Sequence, residues 1–92
     1  MKYWAFRAGQ IIDIQDIPEQ GIKFVTIATD PENIYTATRL IASDKTLVMD
    51  PNHEEITLDD LNVGDDVFVY HSMAMTMSIP PQTQAFVIEV RN

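Results

Sequence analysis

Cysteine is absent from this 92-residue chain, which excludes disulfides, thiol nucleophiles and thiolate metal sites. Glycine occurs three times, too few for a phosphate-cradling loop, and the two histidines have no cysteine with which to form a nucleophilic dyad. Ser72 and Ser78 lack the elbow motif of a hydrolase nucleophile. Cations are scarce as well: six Lys and Arg face fourteen Asp and Glu, a formal charge of −8. Such a field repels a phosphate backbone, because nucleic-acid affinity comes largely from cations that displace counterions. No apolar run reaches membrane length, and Met1-Lys2-Tyr3-Trp4-Ala5-Phe6-Arg7 meets Gly9 and Asp13 too soon for a signal peptide. The chain is therefore expected to be soluble and non-enzymatic, with no cofactor, nucleic-acid partner or membrane partner. Its expected place is the cytoplasm as written, or outside the cell where it is a module of an exported protein.

What is present suits one small domain spanning residues 1–92. The apolar share of 46% supports a folded core, and frequent Ile, Val and Thr favour strands. Between Asp44 and Asp66 eight acids (Asp44, Asp50, Glu54, Glu55, Asp59, Asp60, Asp65, Asp66) accompany one cation, Lys45. Their spacing is not that of a calcium loop, and the segment reads as a solvated face, with a cation site or a basic partner as the alternative. The adjacent pairs Asp59/Asp60 and Asp65/Asp66 diverge instead of sharing a proton, and suit capping. His53, within Asp50-Pro51-Asn52-His53-Glu54-Glu55, reads as a solvated loop histidine.

Turn chemistry punctuates the chain at Pro18 to Gly21, Asp30 to Asn33, Ser43 to Lys45, Asp50 to Asn52, Gly64-Asp65 and Pro80-Pro81. The intervening segments read as strands: about Lys2 to Ile17, Ile22 to Thr29, Ile34 to Ala42, Thr46 to Met49, Asp66 to Met77 and Ala85 to Val90. In the first, Trp4, Phe6 and Ala8 share one side, and Gly9 sits where a long strand bends around a barrel corner. Ile56 to Leu61 changes period. Thr57 is placed as an N-cap with an acid three residues on, and Gly64 suits the left-handed backbone beyond the helical turn. The expected fold is all-β, a small five- to six-stranded OB-like barrel with one short helical turn. An open α+β sheet is the alternative. Trp4, Phe6, Phe24, Val25, Leu58, Leu61, Val67, Val69 and Ile88 are the expected core.

The second half carries Leu61-x-x-Gly64-Asp65-x-Val67-x-Val69-Tyr70, then Thr76-x-Ser78-Ile79-Pro80-Pro81-Gln82-Thr83-x-Ala85, then Ile88-x-Val90. That layout resembles small β-barrel modules of spore-forming Gram-positive bacteria, some of them parts of larger secreted proteins. The resemblance covers somewhat over a third of the chain. It implies an OB-like fold and brings no activity.

His71, Met73, Met75 and Met77 fall at alternate positions, so on one strand all four would leave the same face. Thioethers suit monovalent copper or silver, and imidazole is an acceptable companion. Met75-Thr76-Met77 is similar to the Met-x-Met strand of periplasmic copper and silver chaperones. There, however, that strand precedes the Gly-Asp-x-Val strand, and here it continues it. Val67 and Val69 share the face, so the methionines equally extend a core stripe. Pro80-Pro81-Gln82-Thr83 reads as a rigid crossing, with one of its X–Pro bonds a candidate for the cis form, and a partner-reading loop at the barrel mouth is the alternative. The functional expectation is a binding or interaction module for a protein or an adjacent domain, with a soft-metal site at His71, Met73, Met75 and Met77 as the alternative.

Overall fold

A computed structural model describes residues 4–91. Seven strands are formed: β1 (Trp4–Ile17), β2 (Ile22–Ala28), β3 (Ala37–Ser43), β4 (Leu47–Met49), β5 (Glu55–Ile56), β6 (Asp66–Ser72) and β7 (Gln82–Val90). Three single 3-10 turns, Pro18–Gln20, Ile34–Thr36 and Leu58–Asp60, complete the elements. The expected strand start at Lys2 lies outside the described residues. Among the described residues no helix is long and apolar enough to cross a membrane.

Five strands close a barrel in the order β1-β2-β3-β7-β6 and back to β1. All its pairings are antiparallel except β3 with β7, where Arg39, Leu40 and Ile41 lie opposite Gln82, Thr83 and Gln84. After a turn at Asp44 to Thr46 the chain resumes the same side of β7 as β4, and the Thr46 hydroxyl bonds the Ala85 carbonyl at 2.9 Å across the break. β5 folds back on β4 through a loop tied to one Asp50 carboxylate oxygen, which accepts from the Asn52 and Glu54 amides.

β1 turns the corner. Its first half pairs with β6 from Trp4 to Gln10, and its second half pairs with β2 from Gln10 to Ile17, with a bulge at Ile12. Gly9 is required there by close approach: a Cβ would meet the Ala28 carbonyl oxygen at 3.0 Å. The anticipated helical turn is present at Leu58–Asp60. The Asp60 carboxylate accepts from the Thr57 amide at 2.9 Å and from its hydroxyl at 3.1 Å. Gly64 is left-handed, at φ 100°.

The core is aliphatic: Ile11, Val25, Ile27, Leu40, Val48, Leu61, Val67, Val69 and Ile88 among others, with Ile14, Ile56 and Leu58 packed against it. Val25, Leu61, Val67, Val69 and Ile88 are buried as expected, and Leu58 and Phe24 are half-buried. The expectation for Trp4 and Phe6 was wrong: both are on the outside, 47% and 63% exposed. The register explains it. Arg7 and Gly9 lie opposite Val69 and Val67, whose side chains point inward, so the other phase of β1, Trp4-x-Phe6-x-Ala8, must point outward with Tyr70 and Phe68. Branched aliphatic side chains from the other strands fill most of the interior.

Candidate functional site

The predicted strand from Asp66 to Met77 stops at Ser72, and this separates the four candidate ligands. Polar side chains end it. The Thr83 hydroxyl lies 2.8 Å from both the Ser72 and the Ala74 carbonyl oxygens, donating to one at a time. The Ala74 amide donates to the Ser72 hydroxyl at 3.1 Å. The chain then forms a loop clasped by two bonds of 2.9 Å, the Thr76 amide to the Gln82 carbonyl and the Gln82 amide to the Thr76 hydroxyl. Ser78 joins the Thr76 hydroxyl to the Pro80 carbonyl, and the Ile79–Pro80 bond is cis. Thr76 and Ser78 are what ties this loop.

His71 keeps its strand phase and is fully buried, while Met73 is 64% exposed, Met75 half-buried and Met77 fully exposed. The four do not share a face. The imidazole Nδ1 lies 2.8 Å from the Ser72 carbonyl, and Nε2 lies 3.2 Å from Arg7 Nε. Arginine only donates, so Nε2 must accept and Nδ1 must carry the proton. Neither nitrogen has a spare lone pair for a metal or a general-base step. Burial, aided by the Arg7 charge and opposed by the Ser72 carbonyl, holds the His71 pKa below its ordinary 6.5. Arg7 also donates to the Thr38 hydroxyl at 2.6 Å. Among the described residues it makes no ion pair.

The acidic segment does not converge either. Among the described residues no group of three His, Asp or Glu could hold a metal ion. Lys23 lies 3.1 Å from Asp59 and 3.6 Å from Asp16, and the Asp59 bond is the chief cause holding its pKa above the ordinary 10.5.

What does converge is aromatic. Trp4 and Phe6 of β1, Phe68 and Tyr70 of β6, and Phe86 of β7 form one continuous cluster on the outer wall. Trp4 stacks on Phe86 at 5.0 Å and Phe6 on Phe68 at 5.6 Å, while Tyr70 contacts Phe68 edge-on at 5.3 Å. Tyr70 also joins Trp4 and Phe6, at 6.2 and 6.3 Å. Five of the eight aromatic residues in the sequence are therefore gathered on one face, outside the core. Sequence reasoning missed this site by spending the rings on the core. Two signals were legible. Phe68 and Tyr70 fall in the phase opposite Val67 and Val69, and the 22 residues between Asp66 and Glu89 hold no Asp, Glu, Lys or Arg. In a chain with 22% charged residues, so long an uncharged stretch stands out, and it includes both β6 rings and Phe86.

No family model, no curated protein and no solved structure matches this chain.

Proposed function

We propose that this chain is a non-enzymatic interaction module on an OB-like barrel, and that its binding surface for a protein or an adjacent domain is the outer aromatic face. The observation that carries the reading is the exposure of Trp4 and Phe6 within that five-ring cluster. Scattered exposed apolar residues need no explanation, but a contiguous aromatic patch does. Aromatics are enriched and charges depleted in the cores of protein interfaces, and this face has both properties. The strand order, with its parallel closure and a first strand shared by both halves of the barrel, supports the OB-like description.

The rings favour a protein over a base-stacking or sugar-stacking ligand. They pack against one another at interplanar angles from 24° to 70°, so they offer edges and partial faces instead of open flat platforms. The charge of −8 opposes a nucleic-acid partner further.

The test is photo-crosslinking in cells that produce the chain, with a photoreactive phenylalanine analogue at position 6 or, as a control, at exposed Glu19 in the turn after β1. A discrete protein adduct from position 6 and none from position 19 is expected. Equal adducts from both, or none from position 6, would overturn the reading.

A further inference from the structure

The aromatic face adjoins a strand edge with no partner strand among the described residues. From Trp4 to Gly9, β1 has β6 on one side, and β2 joins its other side only at Gln10. The Ile11 amide donates to the Asp65 carbonyl at 2.9 Å and its carbonyl accepts from the Gly64 amide at 2.8 Å, both on the β6 side. In an antiparallel ladder successive residues turn their main-chain groups to opposite sides. Ala5, Arg7 and Gly9 therefore face β6, and the main-chain groups of Trp4, Phe6 and Ala8 face the open edge. Among the described residues no strand pairs with that edge.

We propose that two copies of this chain associate through antiparallel pairing of these β1 edges about a two-fold axis at Phe6, each copy seating its Trp4 beside Ala8 of the other. The proposal rests on the reading of the outer face as a protein-binding surface, and it names the partner. Two-fold pairing matches residues placed symmetrically about the axis, so Phe6 meets Phe6 of the second copy and Trp4 meets Ala8. All of these side chains are on the outer wall, so the two aromatic clusters merge into one.

Shape supports the match. A largely apolar trough opens on the outer wall at Ala8, bounded by Gln10, Thr29, Pro31, Phe68, Asp66 and Arg91. Trp4 projects four residues away, about 13 Å along the strand. An isologous interface needs knob and hole on the same surface, large facing small, and this strand carries both. Charge supports it too. Each copy carries −8, and approach through an acid-rich face is repelled, whereas β1 from Trp4 to Phe6 and the strands from Val67 to Ile88 contribute no charged side chain and the trough rim carries one charge of each sign, Asp66 and Arg91. At about 200 Å² per ring side chain, Trp4 and Phe6 together expose about 220 Å² per copy. With the strand edge and trough walls added, the interface falls at the small end of the specific range, where association is weak and reversible.

Sedimentation equilibrium from micromolar to near-millimolar concentration is the test. The unaltered chain should pass reversibly from one-chain to two-chain mass. Phe6→Glu places two carboxylates at the axis and should stay monomeric with an unchanged circular dichroism spectrum. Ala8→Tyr enlarges the aromatic surface while filling the trough, and should weaken association by about tenfold or more. An adventitiously sticky face would instead associate more strongly in that variant. Should Phe6→Glu fail to fold, Phe6→Cys decides, because it introduces the chain's sole thiol. A hydrogen-bonded antiparallel pair sets Cα atoms about 5.5 Å apart, within disulfide reach. Mild oxidation should link Phe6→Cys chains much faster than Glu19→Cys chains. A chain monomeric throughout, undiminished association of Ala8→Tyr, or equal oxidation rates would overturn the dimer. A monomeric chain that still gives position-6 adducts with another protein would overturn the dimer alone. Loss of the adducts as well would overturn the interaction surface with it.

Discussion

Acidification should loosen this barrel from within, at His71. The imidazole is fully buried and neutral, with Nδ1–H directed to the Ser72 carbonyl and Nε2 accepting from Arg7. Adding a proton removes the acceptor and sets a second cation 3.2 Å from the guanidinium. Burial is the main cause that lowers the folded-state pKa, and the Arg7 charge works in the same direction against the Ser72 carbonyl. The unfolded chain takes up its histidine proton near pH 6.5, about the unperturbed value, while the folded chain resists until lower pH. Between those two points the unfolded state binds more protons. Stability is therefore fully present above about pH 6.5 and falls as the pH drops through and below it. One proton limits the slope to about 1.4 kcal/mol per pH unit. Urea unfolding at intervals from about pH 8 to pH 5 measures it, with His71→Gln as reference, since glutamine supplies an acceptor and a donor but does not titrate. The variant should be flat across the window where the parent slopes. His71→Leu should lose about 1–3 kcal/mol above about pH 6.5, because Arg7 keeps a half-buried donor with no acceptor, and the gap to the parent should narrow as the pH falls. Identical slopes for the parent and His71→Gln would refute the reasoning.

The two kinds of hydrophobic position should separate under the same assay. Ile88→Ala, in the closed core, should cost about 2–5 kcal/mol, whereas Phe6→Thr, on an exposed cross-strand pair, should cost at most about 1 kcal/mol at monomeric concentration. A larger loss from Phe6→Thr would make the outer cluster a second core. Gly9→Ala should destabilise by about 1–3 kcal/mol, since the added methyl meets β2 backbone that the sheet holds in place, and unchanged urea unfolding would contradict that close approach. Silver at one equivalent should give no specific shift of the methionine methyl signals. A saturable shift centred on Met73 and Met75 would restore a thioether site.

The barrel was legible because its punctuation is local. Asp30 to Asn33, Asp50 to Asn52 and Gly64 each hold a turn where their chemistry places one, and Thr57 with Asp60 forms the expected capped turn. The end of β6 was not legible, because nothing in Tyr70-His71-Ser72-Met73 interrupts an alternating pattern. What stops the strand is Thr83, eleven and nine residues further on, with a hydroxyl placed against the Ser72 and Ala74 carbonyls. Such a bond belongs to tertiary structure. Once the strand ends there, the alternation that grouped His71 with three methionines has no geometric meaning.

The aromatic face was misassigned for a different reason, and this bears on how the protein works. Trp4-x-Phe6 looks inward-facing because it is the more apolar phase of β1, while the phase that does face inward carries Arg7. Arg7 is tolerated there because Thr38 and His71 give its donors acceptors near the barrel end, where Thr83 also makes the lining polar. A barrel stabilised by its monomeric fold alone would gain by exchanging the phases, burying the rings and exposing the guanidinium. The register with β6, which sets Arg7 and Gly9 opposite Val69 and Val67, prevents the first, and the polar trio relieves the second. The strand thus holds large apolar side chains outward at a rigid spacing set by the β6 register, next to main-chain groups that no described strand satisfies. Both features cost a soluble monomer something, through hydrated rings and an edge open to non-specific pairing. A partner strand laid along Trp4 to Ala8 relieves both costs in one step, and that economy favours association at this edge over a role for either feature alone.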